Sequence, residues 1–412
     1  MRELRKTQVA IIGGGPAGLT TATSLAGVAD VLLLEREAEL GGIPRHSNHW
    51  GYGWRDLRTV LTGPAYARRL AGKAAESGAH LLTSAMVTGW DERRLEVTTP
   101  TGLLTVEADA IVLATGARER PRAARRIPGD RPAGVYTTGE LQNQVHLFGH
   151  RIGQRAVVVG SELVSWSAVL TLRHAGVKTV LMTSARPAAE TYAAVALAGR
   201  VAFGVPVATH TTVTRVIGKG RVEGVEVLDH STGQTRVVAC DTVIFTADWI
   251  PDHELAAQLG LPLQPGSLAP LVDAALRTEL PGVFAAGNLL HPVDTADNAA
   301  LDGRQVAASV RGWLADQAAP AAGVRVEPTG PLLWVAPGLV RPGTPQPVRG
   351  RLVGWVSEYR RFPTVVARQD GKQIGSVRTP WPAAPGRIFR IPNAVLAEVN
   401  PAGSPVQLSL AG

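Results

Sequence analysis

The chain of 412 residues has one cysteine, Cys240. One thiol cannot close a disulfide within the chain, supply a redox-active cysteine pair or hold an iron–sulfur cluster. Long apolar runs are missing as well: no stretch of ~18 apolar residues offers a membrane-spanning helix. The ten histidines are scattered, with no HxxxH on a helix face, so no metal site is expected. The formal charge of +8 raises the question of nucleic acid. Its densest cluster is Arg118, Arg120, Arg122, Arg125, Arg126 and Arg131, set among Pro121, Pro128, Gly129 and Pro132. No aromatic side chains interleave for stacking, so the segment reads as a solvated linker, and neither nucleic acid nor membrane is an expected partner. Residues 1–12 are basic and then apolar, as in a signal peptide, but the run ends in glycines without a small-residue cleavage site. It reads as a strand, and a cytoplasmic location is expected.

What is present begins with that strand. Residues 8–12 are followed by Gly13, Gly14, Gly15, Pro16, Ala17 and Gly18, and then by an apolar helical stretch. Gly13 permits a tight turn, Gly15 a close backbone approach to a pyrophosphate, and Gly18 close packing of helix on strand. The helix N-terminus turns its positive end to the phosphates. A second apolar strand, residues 31–34, ends in Glu35, 22 residues beyond Gly13, where a ribose hydroxyl needs an acceptor. Glycine turns alone are weak signals, but here the strand, helix, second strand and acid all stand in order.

The length suffices for two or three domains of ~150 residues. A long loop, residues 40–56, is rich in polar and aromatic groups, and loops of this kind are often functional. A helix is expected over 64–77 and a buried strand over 110–114, ending at Thr115 and Gly116. The pattern then restarts: strand 155–159, a turn at Gly160, a helix and a strand at 178–183, with a β-rich insertion and a closing strand at 242–246. Residues 285–288 (Ala, Ala, Gly287, Asn288) precede a helix at 299–313. Residues 315–323 are rich in Ala, Pro and Gly, and short strands separated by Pro and Gly follow.

Together, the turn with Glu35, Ala114-Thr115-Gly116, the second βαβ at Gly160 and the motif ending at Asn288 resemble the two-dinucleotide-binding-domain flavoproteins. These are the glutathione- and thioredoxin-reductase-like (pyridine nucleotide-disulfide oxidoreductase-like) superfamily. The loop Gly41-Gly42-Ile43-Pro44-Arg45-His46, with Gly53-Trp54-Arg55-Asp56 and residues 63–70, is similar to the FAD-binding subunits of opine oxidase, hydrogen cyanide synthase and hydroxyproline dehydrogenase. Residues 248–252 are similar to the same group. The resemblance covers residues 8–315. It implies an α/β fold of two Rossmann-like three-layer ββα dinucleotide-binding domains, the second inserted in the first, with a C-terminal all-β module added. The expected boundaries are 1–119 and 243–315 for the FAD-binding domain, 120–242 for the NAD(P)-binding-like domain, 316–323 for a linker and 324–412 for the module.

Carried over residue by residue, the resemblance gives Gly13, Gly15, Pro16, Ala17, Gly18, Glu35 and Arg36 to the ADP half of FAD. Gly42 and Arg45 fall near the pyrophosphate or flavin, and Val87 meets adenine through its backbone. Ala114, Thr115, Gly116 and Gly287 pass close to the dinucleotide. Asn288 stands where such proteins use an aspartate on the ribityl chain; its carbonyl oxygen can still accept.

The departures carry information. Without a cysteine pair, disulfide reduction is excluded. Ser47 stands where relatives often carry cysteine. At the second turn Gly160 is kept, but Glu162 and Ser165 replace the second and third glycines, and no acid ends the strand at Thr183-Ser184-Ala185-Arg186. A glutamate beside a pyrophosphate is electrostatically unfavourable, so that turn is expected to be degenerate and NAD(P)H use is left open. His46 and His49 are the acid/base candidates, because imidazole titrates near neutrality; the bland reading makes both loop hydrogen-bonders. Trp50, Tyr52, Trp54, Trp249 and Asp297 are substrate-pocket candidates; Trp50, Tyr52 and Trp54 read more readily as core, and Asp297 reads equally well as a helix N-cap. Ser47 lacks an obvious base outside these histidines and is not expected to be a nucleophile.

The expected function is an FAD-dependent oxidoreductase acting on a small amine, amino acid or opine-like substrate by hydride transfer to flavin. Electrons would then pass to a partner protein, a carrier or O2. One alternative is an NAD(P)H-dependent flavin reductase or monooxygenase. Another is an FAD-bearing, non-catalytic subunit of a hetero-oligomeric dehydrogenase, docking through its β module with Trp334, Trp355 and Trp381 exposed. A homo-oligomer is also compatible.

Overall fold

The computed structural model describes all residues except 1–2, 92–93, 189, 345–346, 348–349 and 412. The chain forms two compact units: residues 1–45, 50–117 and 251–412, and residues 46–49 with 118–250.

The first unit is built on strand Glu3–Ile12. Its apolar end, Val9 to Ile12, is buried and pairs in parallel with Val31–Leu34 on one side and Gly102–Leu113 on the other. A continuous apolar run suits a central strand covered on both faces. Strands His80–Leu82 and Val283–Ala285 extend the parallel part. Strands Arg94–Thr99 and Met86–Asp91 add an antiparallel arm to the long strand Gly102–Leu113. Helices Pro16–Leu25 and Ala296–Ala315 pack together closely. Gly303 makes this approach possible, since a Cβ there would lie 2.4 Å from the Ala17 carbonyl oxygen. Helix Gly63–Glu76 matches the sequence expectation to within a residue at each end.

The second unit repeats the plan. Its parallel sheet runs Val135–Thr137, Thr242–Phe245, Arg155–Val159, Lys178–Thr183, Val207–Ala208. The insertion is an antiparallel sheet of Thr211–Ile217, Gly224–Asp229 and Thr235–Ala239. Cys240 is buried in its core, and burial pushes the thiol up to about 11. The arginine segment departs from the solvated-linker reading. Arg122 is buried and donates to the carbonyls of Ile127, Pro128 and Asp130; Arg125 donates to those of Arg120, Thr246 and Ala247. A guanidinium carries five fixed donors, so one arginine can satisfy a whole turn of carbonyls.

The C-terminal strands form a five-stranded and a three-stranded sheet around Val326, Val335, Leu352, Val356, Phe389, Ile391 and Leu408. Trp334 is buried and stacks on Trp355 at 6.3 Å, and the Trp381 indole N–H donates to the Arg390 carbonyl. Trp334 thus serves the module's own packing and Trp355 and Trp381 are half-buried, so the three are not the exposed set that the docking alternative expected. The module is fastened to residues 264–278 of the same unit. Gln264 donates to the Val335 carbonyl, and Gly338 and Leu339 donate to the Val272 carbonyl. Arg341, 5% exposed, pairs with fully buried Asp273 at 3.0 Å. No helix among the described residues is long and apolar enough to cross a membrane.

Candidate active site: two glycine turns and the loops around them

The first turn has the shape its glycines predict. Gly13 has φ +110°, and a Cβ there would lie 2.4 Å from the Ala114 carbonyl oxygen. A Cβ on Gly18 would lie 1.9 Å from the Gly13 oxygen. Around Gly15, by contrast, the space for a Cβ is open. Gly15 precedes helix Pro16–Leu25 with no side-chain cap, so the first-turn N–H groups and the positive helix end face that opening. Gly42, at φ +59°, comes up against Gly15.

Glu35 is buried beside the turn. One carboxylate oxygen accepts from the Gly14 N–H at 2.6 Å and the other from the Glu37 N–H at 2.8 Å. Each oxygen keeps a further lone pair for a ribose hydroxyl. Arg45 pairs with Glu37 and donates to the Glu39 carbonyl, and Arg36 pairs with Asp252 at 3.2 Å. Thr115 Oγ1 donates to the Asp252 carbonyl at 2.7 Å, and the Asp252 N–H donates to Gly116. Ala114 is fixed by its N–H to the Ile12 carbonyl, and Val87 is buried in its strand opposite Val97. Gly287, at φ +74°, lies against Ala17. Asn288 donates through Nδ2 to the Asp294 carbonyl, while its Oδ1 is buried without a partner. A glycine cradle at a helix N-terminus, a buried acid beside it and an orphaned acceptor fit FAD.

Asp297 does not cap its helix; Thr295 holds that position. Its carboxylate instead accepts from the Gly53 and Arg55 N–H groups, at 3.1 and 3.0 Å, and so holds the 50–56 loop. Trp50 and Trp54 are 70% and 66% exposed on this loop, so neither is core, while Tyr52 packs on Tyr66. A pair given no role in the sequence, although both residues stand in segments that carry the resemblance, lies in this region. Tyr66 donates to Asp56 at 2.8 Å, burial raises the Asp56 carboxyl against that hydrogen bond, and burial beside Asp56 pushes the Tyr66 phenol above its usual range. Nothing local announces this contact.

His46 and His49 belong to the second unit. His46 is buried with Nδ1 3.3 Å from Gln142 Oε1, and Ser47 Oγ lies 3.0 Å from His49 Nε2. Gln142 also donates to Ser47 and Ser167. This network lies on helix Thr138–Gln142, which runs on into the π-helical turn Asn143–Leu147. His146, on that turn, is 5.1 Å from His174 ring to ring, and burial together with His174 and His49 lowers its pKa. Trp249 is partly buried in the same unit.

The second turn is rebuilt from within. Gly160 keeps φ +124° and its N–H on the Thr183 carbonyl. Ser165 places its hydroxyl 2.6 Å from Thr246 Oγ1. Glu162 occupies the N-cap of helix Leu163–His174. Burial, reinforced by Glu190 and Glu119 and opposed by Arg125, pushes its carboxyl up to about 8. Glu190 leans on the turn: its N–H donates to Ser161 Oγ, and its carboxylate takes Ser184 Oγ at 2.9 Å and Arg186 at 3.6 Å. No cluster of metal-binding side chains occurs among the described residues.

The family model for pyridine nucleotide-disulphide oxidoreductases matches residues 7–303. The chain belongs to this family. It is an FAD-dependent oxidoreductase, as its first turn and the order of its motifs led one to expect. Among its relatives is a thioredoxin reductase of Treponema pallidum, 28% identical over 290 residues, covering 68% of this chain and 88% of the relative. An opine oxidase subunit of Agrobacterium tumefaciens is 29% identical over 347 residues, covering 75% of this chain and 64% of the relative. The alpha subunit of sarcosine oxidase from a Corynebacterium is 29% identical over 275 residues, covering 61% of this chain and 27% of that longer protein. In fold, the chain is similar to the crystal structure of T. acidophilum thioredoxin reductase, with a TM-score of 0.63 at 21% identity over 76% of this chain and all of that one. Unlike a disulfide reductase, this oxidoreductase lacks the cysteine pair on which disulfide reduction depends.

Proposed function

We propose that the protein oxidises a small C–N substrate, an amine, amino acid or opine-like imino acid. FAD, when bound, supplies the two-electron acceptor for the hydride leaving the carbon beside nitrogen. The nitrogen gives up a proton, and water then hydrolyses the resulting imine to carbonyl compound and amine. The observation that carries this reading is the contrast between the turns. The first keeps three glycines and a buried acid, whereas the second holds Glu162 and is leaned on by Glu190. Electrons therefore enter from substrate, not from NAD(P)H, and leave to a partner protein, a carrier or O2. The opine oxidase and sarcosine oxidase relatives support the substrate class.

In this reading Gly13, Gly15 and Gly18 admit the pyrophosphate, Glu35 takes a ribose hydroxyl and Asn288 Oδ1 accepts from the ribityl chain. His46 and His49, steadied by Gln142 and Ser47, are the candidates for the substrate proton. The exposed Trp50 and Trp54 are the candidates for contact with substrate or partner. The test is anaerobic mixing of the FAD-loaded protein with amines, amino acids and opines, and separately with NADH and NADPH. Flavin bleaching by a C–N compound and not by the nicotinamides is expected. Rapid bleaching by NADPH alone overturns the reading and favours a reductase or monooxygenase.

A second reading rests on the relatives that are themselves subunits. The chain would carry FAD while a partner completes the active site. Bound FAD that no substrate reduces until a second protein is added would establish it.

A further inference from the structure

The loop between strand Val283–Ala285 and helix Ala296–Ala315 is built around a buried imidazole. His291 is 6% exposed. Its Nε2 donates to Asp302 Oδ2 at 2.6 Å, and its Nδ1 lies 3.9 Å from Asp294 Oδ2 without a hydrogen-bond partner. Both carboxylates have further duties. Asp302 Oδ2 also accepts from the Gly287 N–H at 3.1 Å. Asp294 Oδ1 accepts from the Thr295 N–H at 2.8 Å and from Asn298 Nδ2, while the Asp294 carbonyl accepts from Asn288 Nδ2. His291 thus joins the two ends of one small loop: Gly287 through Asp302 and Asn288 through Asp294.

The orientation of Asn288 follows from this. A carbonyl only accepts, so the nitrogen of the Asn288 amide must face Asp294 and its oxygen must face away. That oxygen is the buried acceptor without a partner. An unmet buried acceptor costs free energy unless something occupies it, and a hydroxyl of the cofactor would do so.

We infer that His291 is a positioning residue for FAD, holding Asp302 and Asp294 so that the Asn288 carbonyl oxygen is preset as an acceptor for a cofactor hydroxyl. The inference rests on the placement of Asn288 at the ribityl chain. The two carboxylates favour the charged imidazole. Burial pulls its pKa down, but the Asp302 and Asp294 carboxylates outweigh burial and hold it up to about 9. Among the described residues, those two are the charged groups that act on it. Asp297 and Arg304, on the same helix, are engaged with the 53–56 loop instead. Above that pH the cation is lost, both carboxylates lose their counter-charge, and the loop loosens.

The test strips FAD from the full chain and titrates it back, with affinity read by flavin fluorescence from about pH 6 to about pH 10. Wild-type affinity is expected to hold at neutral pH and to fall as the pH passes about 9. His291→Gln should bind about tenfold more weakly at neutral pH, the loss of one net hydrogen bond, and show no such fall. His291→Lys keeps a cation and should carry strong binding to higher pH. Asn288→Ala should lose as much as His291→Gln, and the double variant no more than either. The inference is overturned if wild-type affinity is flat across this range, if His291→Gln matches wild type, or if the two losses simply add. Failure of wild type to bind FAD at any pH would sink the cofactor assignment instead. Normal FAD binding by Asn288→Ala would remove Asn288 from the site.

Discussion

Replacing Glu162 by glutamine should stabilise the second unit above neutral pH. The side chain keeps its size, so the change removes only a charge. Burial, with Glu190 and Glu119 nearby, raises the carboxyl from the usual 4.5 to about 8 in the folded chain. Between these values the folded chain holds a proton that the unfolded chain has released, so stability falls as pH rises from about 4.5 to about 8. Each tenfold change in proton affinity is worth about 1.4 kcal/mol, which sets a ceiling of roughly 5 kcal/mol. Glu162 is only partly buried, and solvent screening brings the expectation to about 2–3 kcal/mol. Urea unfolding of wild type and Glu162→Gln, measured at several pH values, isolates this one group as the difference between the curves. That difference should be small near pH 5 and should grow until about pH 8 before levelling. A difference that does not vary with pH would refute the reasoning, because a lost contact acts at every pH whereas an unfavourable charge acts only once ionised.

Two further perturbations test other joints of the structure. Arg341→Met should cost about 2–4 kcal/mol, because it leaves Asp273 buried with Arg277 as its remaining cationic partner; chemical denaturation measures this, and adding Asp273→Asn should recover part of the loss. Gly18→Ala should expel FAD, since the added methyl falls 1.9 Å from the Gly13 carbonyl and the turn must open; purification with a full complement of flavin would contradict it.

The first turn was legible because its glycines are demanded by backbone geometry, and geometry of that kind is written locally. The C-terminal strands, Arg351–Val356 among them, were legible because Pro and Gly mark the breaks between them. The arginine segment misled because composition cannot distinguish a solvated guanidinium from one folded over carbonyls. Arg122 and Arg125 become clamps only once residues 127–130 and 246–247 arrive beside them. Asp297 read as a cap by its neighbourhood, yet its partners Gly53 and Arg55 lie 244 and 242 residues away. Gly303 was the one missed signal with a local trace, a glycine inside a helix, where it is costly unless a close approach requires it.

One helix accounts for how distant pieces of the site stay in register. Its N-terminal part carries Asp297 and Asp302. The first grips the backbone of the loop bearing Trp50 and Trp54, and the second grips Gly287 and His291 beside Asn288. Helices are stiff over such distances, so the tryptophan loop and the Asn288 loop, to which the proposal gives substrate and cofactor, are held by a common rigid rod. Cutting Asp297 should therefore loosen the tryptophan loop while leaving the Asn288 acceptor in place, and cutting Asp302 should do the reverse. In an enzyme of the proposed kind the first change falls on substrate affinity and the second on FAD affinity. An Asp297→Asn variant that lost FAD before it lost substrate binding would show that the two grips are not separable.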